Sequence, residues 1–461
     1  MTAVQSRSSR LPMLHVAFLC MMDSTHFYTV CSLFSYAGVL TADMHWTEDK
    51  NDAGFIAGWL QSANVCGRIV TSSLWGLVAQ RYGAKPVLLL ALVSFLVGGL
   101  LFGFCTDLVG AMCVRFIFFG LLNGWPVLMG PCAAAAAGDT RQTEVLGLIT
   151  AASSGTQLVG PGLGGWTYGW VPKYPAIVPS SIGCVLTLAT LVLFCRVHRA
   201  FGASPVDGEE NAPSPKVHSS SKVLLRWPVP LLIWMRVCQG FAIFGIFEAI
   251  PLWLISDKEL GGLGLSEKEV GTLLSRSGLW SMFYFSFLLP LVMPRCLAPR
   301  FFSIVTSCIA GLAALILPYC TTLPAANLLH LLCASMFISQ SVINIQFTNN
   351  TTGLHERSMV TGVAVTVETI GKASAPVVTS WSFAWSLQRF GKEGHDLVFL
   401  IMASLALMQL ICCLCLPSSV DGVEDVADLP RDFSTEKAPM TWKIGREEAN
   451  TTAVMHRRVS E

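Results

Sequence analysis

The stretch GTQLVGPGLGG, residues Gly155 to Gly165, decides the reading of this chain. Its glycine density would dissolve most helices in water. The flanking sequence, however, is apolar. In hydrocarbon an unpaired backbone N–H or C=O costs roughly several kcal/mol, so a glycine- and proline-rich segment stays helical and its missing side chains become a packing surface or a bend. Such a surface lets one helix slide or pivot against another.

Outward from that stretch the composition agrees. With 461 residues, 53% of them hydrophobic and 13% charged, and a mean hydropathy of +0.58, the chain has too much apolar surface for a soluble globule. The expected class is an all-α polytopic membrane protein whose partner is the lipid bilayer. Formal net charge is +1, so nucleic acid is not an expected partner. The polar start to Arg10 runs into a segment longer than a signal core, so the first span is expected to stay as an anchor. The sixteen cysteines are scattered through apolar stretches without metal-ligand spacing and read as small hydrophobes.

A helix needs about 20 residues to cross the hydrocarbon. Spans are expected at 12–40, 54–79, 86–106, 108–131, 145–169 and 176–195, then at 229–255, 268–293, 301–320, 325–348, 358–386 and 396–416. That gives twelve transmembrane helices in two six-helix, pseudo-symmetric halves, 12–195 and 229–416, joined by a polar linker, 196–228. Lys and Arg sort by loop: Arg7, Arg81, Lys85, Arg141, Arg196 and Arg300 share one side, whereas Asp43, Glu48, Asp107, Glu259 and Glu267 share the other. The positive-inside rule then makes both the terminus 1–11 and the tail 417–461 cytoplasmic. The sequons at Asn349, Asn350 and Asn450 would also be cytoplasmic. Ser266 to Glu269 has the form of a capping box opening the eighth span.

Ionisable residues inside spans are functional candidates by default. Asp23 and His26 lie three apart and can share one helix face. Asp23 is a proton acceptor or a structural cap, and His26 tunes it or binds substrate. Glu368 and Lys372 are four apart with the acid first, the favourable order for an intrahelical pair. That pair is a switch or a static brace. Arg115, Arg236 and Glu248 complete the proton-coupling and substrate candidates. Arg236 and Glu248, twelve apart, should each look across to another helix. Arg68 and Arg276 occupy corresponding spans of the two halves and either bind an anionic substrate or pair structurally. His330 reads as a satisfied structural histidine. Trp59, Gln157, Trp234 and Trp280 are cavity candidates, whereas Trp166, Trp170, Trp227, Trp253 and Trp385 read as interfacial anchors. Weak internal symmetry relates Gly160-Pro161 to Ala375-Pro376, with the polar residues Gln157 and Lys372 four before each proline.

These residues resemble the major facilitator superfamily. GLVAQRYGAKP, Gly76 to Pro86, stands where that superfamily has its Gly-x-x-x-Asp-Arg-x-Gly-Arg-Lys loop, and Gly155 to Gly165 looks like its antiporter signature. GRIVTSSLWGLVAQRYGAKP from Gly67, FGLLNG from Phe119, GLGGWTYGWVPKYP from Gly162, LLPLVMPRCLAPR from Leu288 and ETIGKASAPVVTSWSFAW from Glu368 are similar to the zinc-induced facilitator-like branch of drug:proton antiporters. The resemblance implies a conformational motif at Gly76, Gln80, Arg81, Gly83 and Lys85, with Gly155, Gly160, Pro161, Gly164 and Gly165 as the pivot. It also implies a Lys at the position of Lys372. Gln80 stands where the family has Asp, and Ala84 where it has the second Arg. Arg115 lies five residues before Gly120, where the family places its Arg four before.

The expected function is secondary active transport, not enzymatic catalysis: proton-coupled antiport of a small organic solute, drug or metal chelate by a monomer using alternating access. The membrane is the plasma membrane or an endomembrane such as the vacuole. No cofactor is expected, since a Gly-x-x-x-x-Gly-Lys-Ser/Thr loop is missing, and no protein metal site, since the sequence offers no His/Cys/Asp ligand cluster. The alternative is a transport-inactive sensor or scaffold with the same fold, favoured by Gln80.

Overall fold

The computed structural model describes residues 12–47, 52–198, 221–283, 298–336, 342–343, 346–347, 349–351 and 353–421. Arg7, Glu48, the linker residues 199–220, the ends of the spans 268–293 and 325–348, Asn450 and the tail beyond 421 lie outside it.

All regular structure among the described residues is helical. The first half contains α1 (Met13–Phe34), α2 (Ala37–Asp43), α3 (Gly54–Tyr82), α4 (Ala84–Phe104), α5 (Leu108–Val114), a π-helical turn (Arg115–Leu121), α6 (Trp125–Thr167) and α7 (Ile177–Val197). The second contains α8 (Ser221–Leu225), α9 (Val229–Ile255), α10 (Glu267–Phe283), α11 (Pro299–Ile316), α12 (Leu323–Cys333), α13 (Gly353–Phe390) and α14 (Leu397–Cys415).

Six stretches among the described residues are long and apolar enough to cross a membrane: Ala84–Phe104, Leu108–Ala133, Ile177–Val197, Val229–Ile255, Pro299–Tyr319 and Gly362–Cys415. Helices α1, α3 and α10 are not among them, and α6 enters only through its first turns, to Ala133. Helix α3 carries Gln61, Ser62 and Asn64, all buried.

Three boundaries differ from expectation. The span 12–40 breaks at Ser35–Tyr36, where the Tyr36 ring stacks on Tyr168 with centroids 5.0 Å apart. The span 108–131 passes through the π turn. Residues 125–167 form one 43-residue helical element, so the connection expected between 131 and 145 is itself helical. A straight helix of that length would reach about 65 Å, twice the hydrocarbon thickness of about 30 Å. Pro131 and Pro161 lie inside it, each removing a ladder hydrogen bond where a bend is cheapest.

Small residues form close seams both inside the first half and between the halves. On α6, Gly160 and Gly164 face Cys31 and Ser32 of α1 within the first half, whereas Gly162 and Gly165 face Gly271, Ser275 and Glu267 of α10 in the second. The tightest of these abut backbone: a Cβ on Gly164 would strike the Ser32 carbonyl, and one on Gly165 the Glu267 carbonyl. On α3, Gly54 and Gly58 lie against Ser380 and Pro376 of α13. Gln388 of α13 donates to the Asp52 carboxylate at 2.9 Å, and Phe34 stacks on Phe247 at 5.4 Å. These contacts gather at the end of the bundle that carries residues 43–54 and 256–267. Toward the other end, a Cβ on Gly155 or Gly362 would meet nothing within 4 Å. Gly155, expected in the pivot, therefore lies outside the close seam.

Candidate functional site

In α1, Asp23 and His26 are both buried and lie on one face, one turn apart. The Trp125 indole N–H donates to Asp23 Oδ1 at 2.8 Å, and Ser153 of α6 also hydrogen-bonds this carboxylate. Its partners are thus neutral donors. Trp125 is fully enclosed and opens α6 directly after the quoted FGLLNG run. Nothing in residue spacing places it beside a residue 102 positions away; only its polar handle in an apolar run hints that it must find an acceptor.

Asn123 fixes the state of His26. Its Nδ2 donates to the Phe119 carbonyl at 3.2 Å, and its Oδ1 accepts from the Trp125 backbone N–H at 3.3 Å. The same Nδ2 faces His26 Nδ1 at 3.1 Å. An amide oriented by two backbone groups leaves Nδ1 as the acceptor, so the proton of the neutral ring sits on Nε2. That nitrogen faces Arg68 Nη1 of α3 at 3.3 Å. Arg68 is half-buried, and its Nε is enclosed with no hydrogen-bond partner.

Arg115 begins the π turn. Its Nε donates to the Leu60 carbonyl at 2.7 Å and its Nη2 to Gln61 Oε1 at 3.2 Å. The guanidinium also lies over the rings of Phe102 and Phe119, at 5.6 and 5.9 Å. The adjoining cavity, among Tyr28, Ser32 and Phe95, is about 20 Å³, room for a water but not a solute. The π turn also accounts for the unusual spacing to Gly120: the Leu122 N–H bonds the Ile117 carbonyl at 3.0 Å, five residues back, so one extra residue is absorbed within the turn. Gly120 then packs on Gly67 of α3, where a Cβ would come 2.8 Å from the Gly67 Cα.

In the second half, Glu368 of α13 is buried between two cations. Arg236 Nε of α9 reaches Oε2 at 2.5 Å, and Lys372 Nζ reaches Oε1 at 2.6 Å. The i,i+4 pair was readable from spacing, whereas Arg236 joins it only because α9 and α13 approach closely. Gly240 and Gly371 permit this: a Cβ on Gly240 would stand 2.7 Å from Glu368 Cγ, and one on Gly371 2.7 Å from the Val237 carbonyl. Lys372 also lies within electrostatic reach of His26 in the first half. Glu248 of α9 is buried, its Oε2 has no hydrogen-bond partner, and it interacts electrostatically with Arg115 across the halves.

The remaining candidates sort differently. Gln80 is exposed, Arg81 lies over the Tyr82 ring at 5.5 Å, and Lys85 is half-buried. Gly76 has Val127 3.8 Å from its Cβ position, and Gly83 holds φ +79°, a left-handed turn that suits glycine. Trp59 and Trp234 are half-exposed, Trp280 stacks on Phe283 at 5.7 Å, and Gln157 is half-buried. Trp253 is not an interfacial anchor: it is fully buried and donates to the Gly261 carbonyl at 3.0 Å. His330 is buried with Nδ1 unpartnered, so it is not a satisfied histidine. The capping box is present, with the Ser266 N–H donating to Glu269 Oε2 at 2.9 Å and the Glu269 N–H facing Ser266 Oγ at 3.5 Å.

The chain is 26% identical to Protein ZINC INDUCED FACILITATOR 1 of Arabidopsis thaliana, over 85% of this chain and 89% of that protein. It is 27% identical to Protein ZINC INDUCED FACILITATOR-LIKE 1 of the same plant, over 81% and 85%. The crystal structure of a D-xylose-proton symporter superposes with a TM-score of 0.69 at 14% identity, over 89% of this chain and 99% of that one, a likeness of fold. The Major Facilitator Superfamily model matches residues 16–376. Because that match runs through both halves, from within α1 to the proline of α13, the chain belongs to the Major Facilitator Superfamily and is an integral, multi-pass membrane protein of a transporter fold.

Proposed function

We propose that this chain is a proton-coupled secondary transporter that moves a small organic solute by alternating access, with both termini in the cytoplasm. The carrying observation is the pair of buried acids, Asp23 on α1 in the first half and Glu368 on α13 in the second. A buried charge in a bilayer is expensive unless it does work there. The gathering of glycine contacts at the end opposite the termini supports a reading in which that end is the closed one.

The direction of coupling follows from the charge of the solute. A cationic solute competes with the proton for these carboxylates and gives the antiport expected from the sequence. An anion binds better once they are neutral and gives cotransport, because linkage is reciprocal. Similarity to the zinc-induced facilitators supports a solute transporter.

Reconstitution into proteoliposomes with an imposed pH gradient tests this reading. Solute flux should follow the gradient in the wild type and lose that dependence in Asp23→Asn and Glu368→Gln. Wild-type pH dependence in both variants would remove the two acids from the scheme. Saturable binding without flux would favour the sensor alternative, to which the exposed Gln80 lends weight.

A further inference from the structure

We propose that Arg68 and His26 form an oxyanion site, faced by Lys372 from the second half, and that the transported solute carries a carboxylate there. This deepens the transport reading above by naming the solute class.

The argument is an accounting of donors. Asn123 leaves the His26 proton on Nε2, and that N–H points at Arg68 Nη1, which is itself a donor, 3.3 Å away. Two donors that face each other bind nothing between them until an acceptor arrives. Arg68 Nε is a third donor, buried and unpartnered. Among the described residues no acid forms an ion pair with Arg68; Glu368 is engaged by Arg236 and Lys372. An unmatched guanidinium in low dielectric is costly, and a fold that keeps one holds it for a partner brought from outside.

The geometry specifies that partner. A planar carboxylate accepts from adjacent guanidinium N–H groups in a fork, and its free lone pairs reach a neighbouring imidazole N–H. Lys372 supplies long-range attraction from the other half, for its ammonium interacts with the same imidazole and its side chain is 26% exposed, against 2% for Glu368. Arg68 also lies ten residues beyond Gly58 on α3, about 15 Å from the closed contact with Pro376, toward the end where Gly155 and Gly362 have open space. That is the side from which the proposed solute would enter. On the coupling rule above, such a solute travels with the proton.

The test uses the full chain, purified, and a charge series on one scaffold: benzoate, benzamide and benzylammonium, with glutarate and glutaramide as a second pair. Thermal unfolding is followed against concentration. At least one carboxylate should raise the midpoint saturably, while its amide and the amine do not. Arg68→Gln should weaken the effect about ten- to hundred-fold, as expected for a charge-assisted bond. Arg68→Lys, which keeps the charge and controls for folding by its gel-filtration profile, should retain part of it. Asn123→Asp should also weaken it, because an acceptor opposite Nδ1 draws the ring proton away from Nε2. The proposal is overturned if amide or amine stabilise as well as the carboxylates, if neither carboxylate acts, or if the effect survives Arg68→Gln. Carboxylate binding without pH-driven flux would sink the transport reading and spare this site. Gradient-driven flux of an amine, insensitive to Arg68→Gln, would do the reverse.

Discussion

Asp23 and Glu368 are buried carboxylates, one in each half, yet they are held in opposite ways. Asp23 accepts from the Trp125 indole and from Ser153, both neutral. Glu368 is gripped by Arg236 and Lys372. Protonating Asp23 removes one buried charge and leaves no cation facing it. Protonating Glu368 leaves two cations facing a neutral acid. The first arrangement suits a group that gains and loses a proton in each cycle, and the second suits a group whose charge holds helices α9 and α13 together until a solute or proton disturbs it.

The sharpest way to break this contrast is to neutralise each acid. Glu368→Gln should lower unfolding stability by about 3–5 kcal/mol, the usual result of removing one member of a buried ion pair, with partial recovery in the double variant Glu368→Gln/Lys372→Met. Asp23→Asn keeps an acceptor for Trp125 and should cost no more than about 1 kcal/mol. Equal losses in denaturant unfolding of the two variants would remove the distinction. Gly165→Leu comes next, at about 1–3 kcal/mol for overpacking. It presses on the Glu267 backbone far from either acid, so it should slow flux without altering pH dependence, whereas Gly155→Leu should leave turnover near wild type.

Trp125→Phe sharpens the Asp23 side alone. Loss of one hydrogen bond to a charged group should cost about 1.5–3 kcal/mol of stability at a pH where Asp23 is ionised, and less where it is protonated; a pH-independent loss would show that Asp23 does not titrate there. The smallest effect belongs to Ser266→Ala, about 1 kcal/mol from the lost cap on α10, and it should leave the pH response of both acids unchanged.

Part of this arrangement is legible in the sequence alone. The apolar composition and glycine seam are bulk signals that survive uncertainty at single positions, and Glu368–Lys372 follows from helix periodicity. Arg236 reached Glu368 across 132 residues because Gly240 and Gly371 thin two helix surfaces that no local pattern pairs. Trp125 and Asn123 escaped for the same reason: their partners lie on α1, and only tertiary packing brings them there. Hydropathy divides the candidates: Arg115, Arg236, Glu248, Glu368 and Lys372 lie in stretches apolar enough to cross a membrane, whereas Asp23, His26 and Arg68 lie on α1 and α3, which do not stand out.

The π turn at Arg115–Leu121 reaches beyond its own neighbourhood. One additional residue in a helix of 3.6 residues per turn rotates everything after it by about 100°, and Asn123 and Trp125 come directly after. Counting from Arg115 along this chain therefore lands one place away from the same count in a relative wound without that insertion. Deleting a single residue from Phe116 to Phe118 would restore ordinary winding, swing the indole and the amide off Asp23 and His26, and dismantle the first-half cluster while leaving each of its side chains in the sequence.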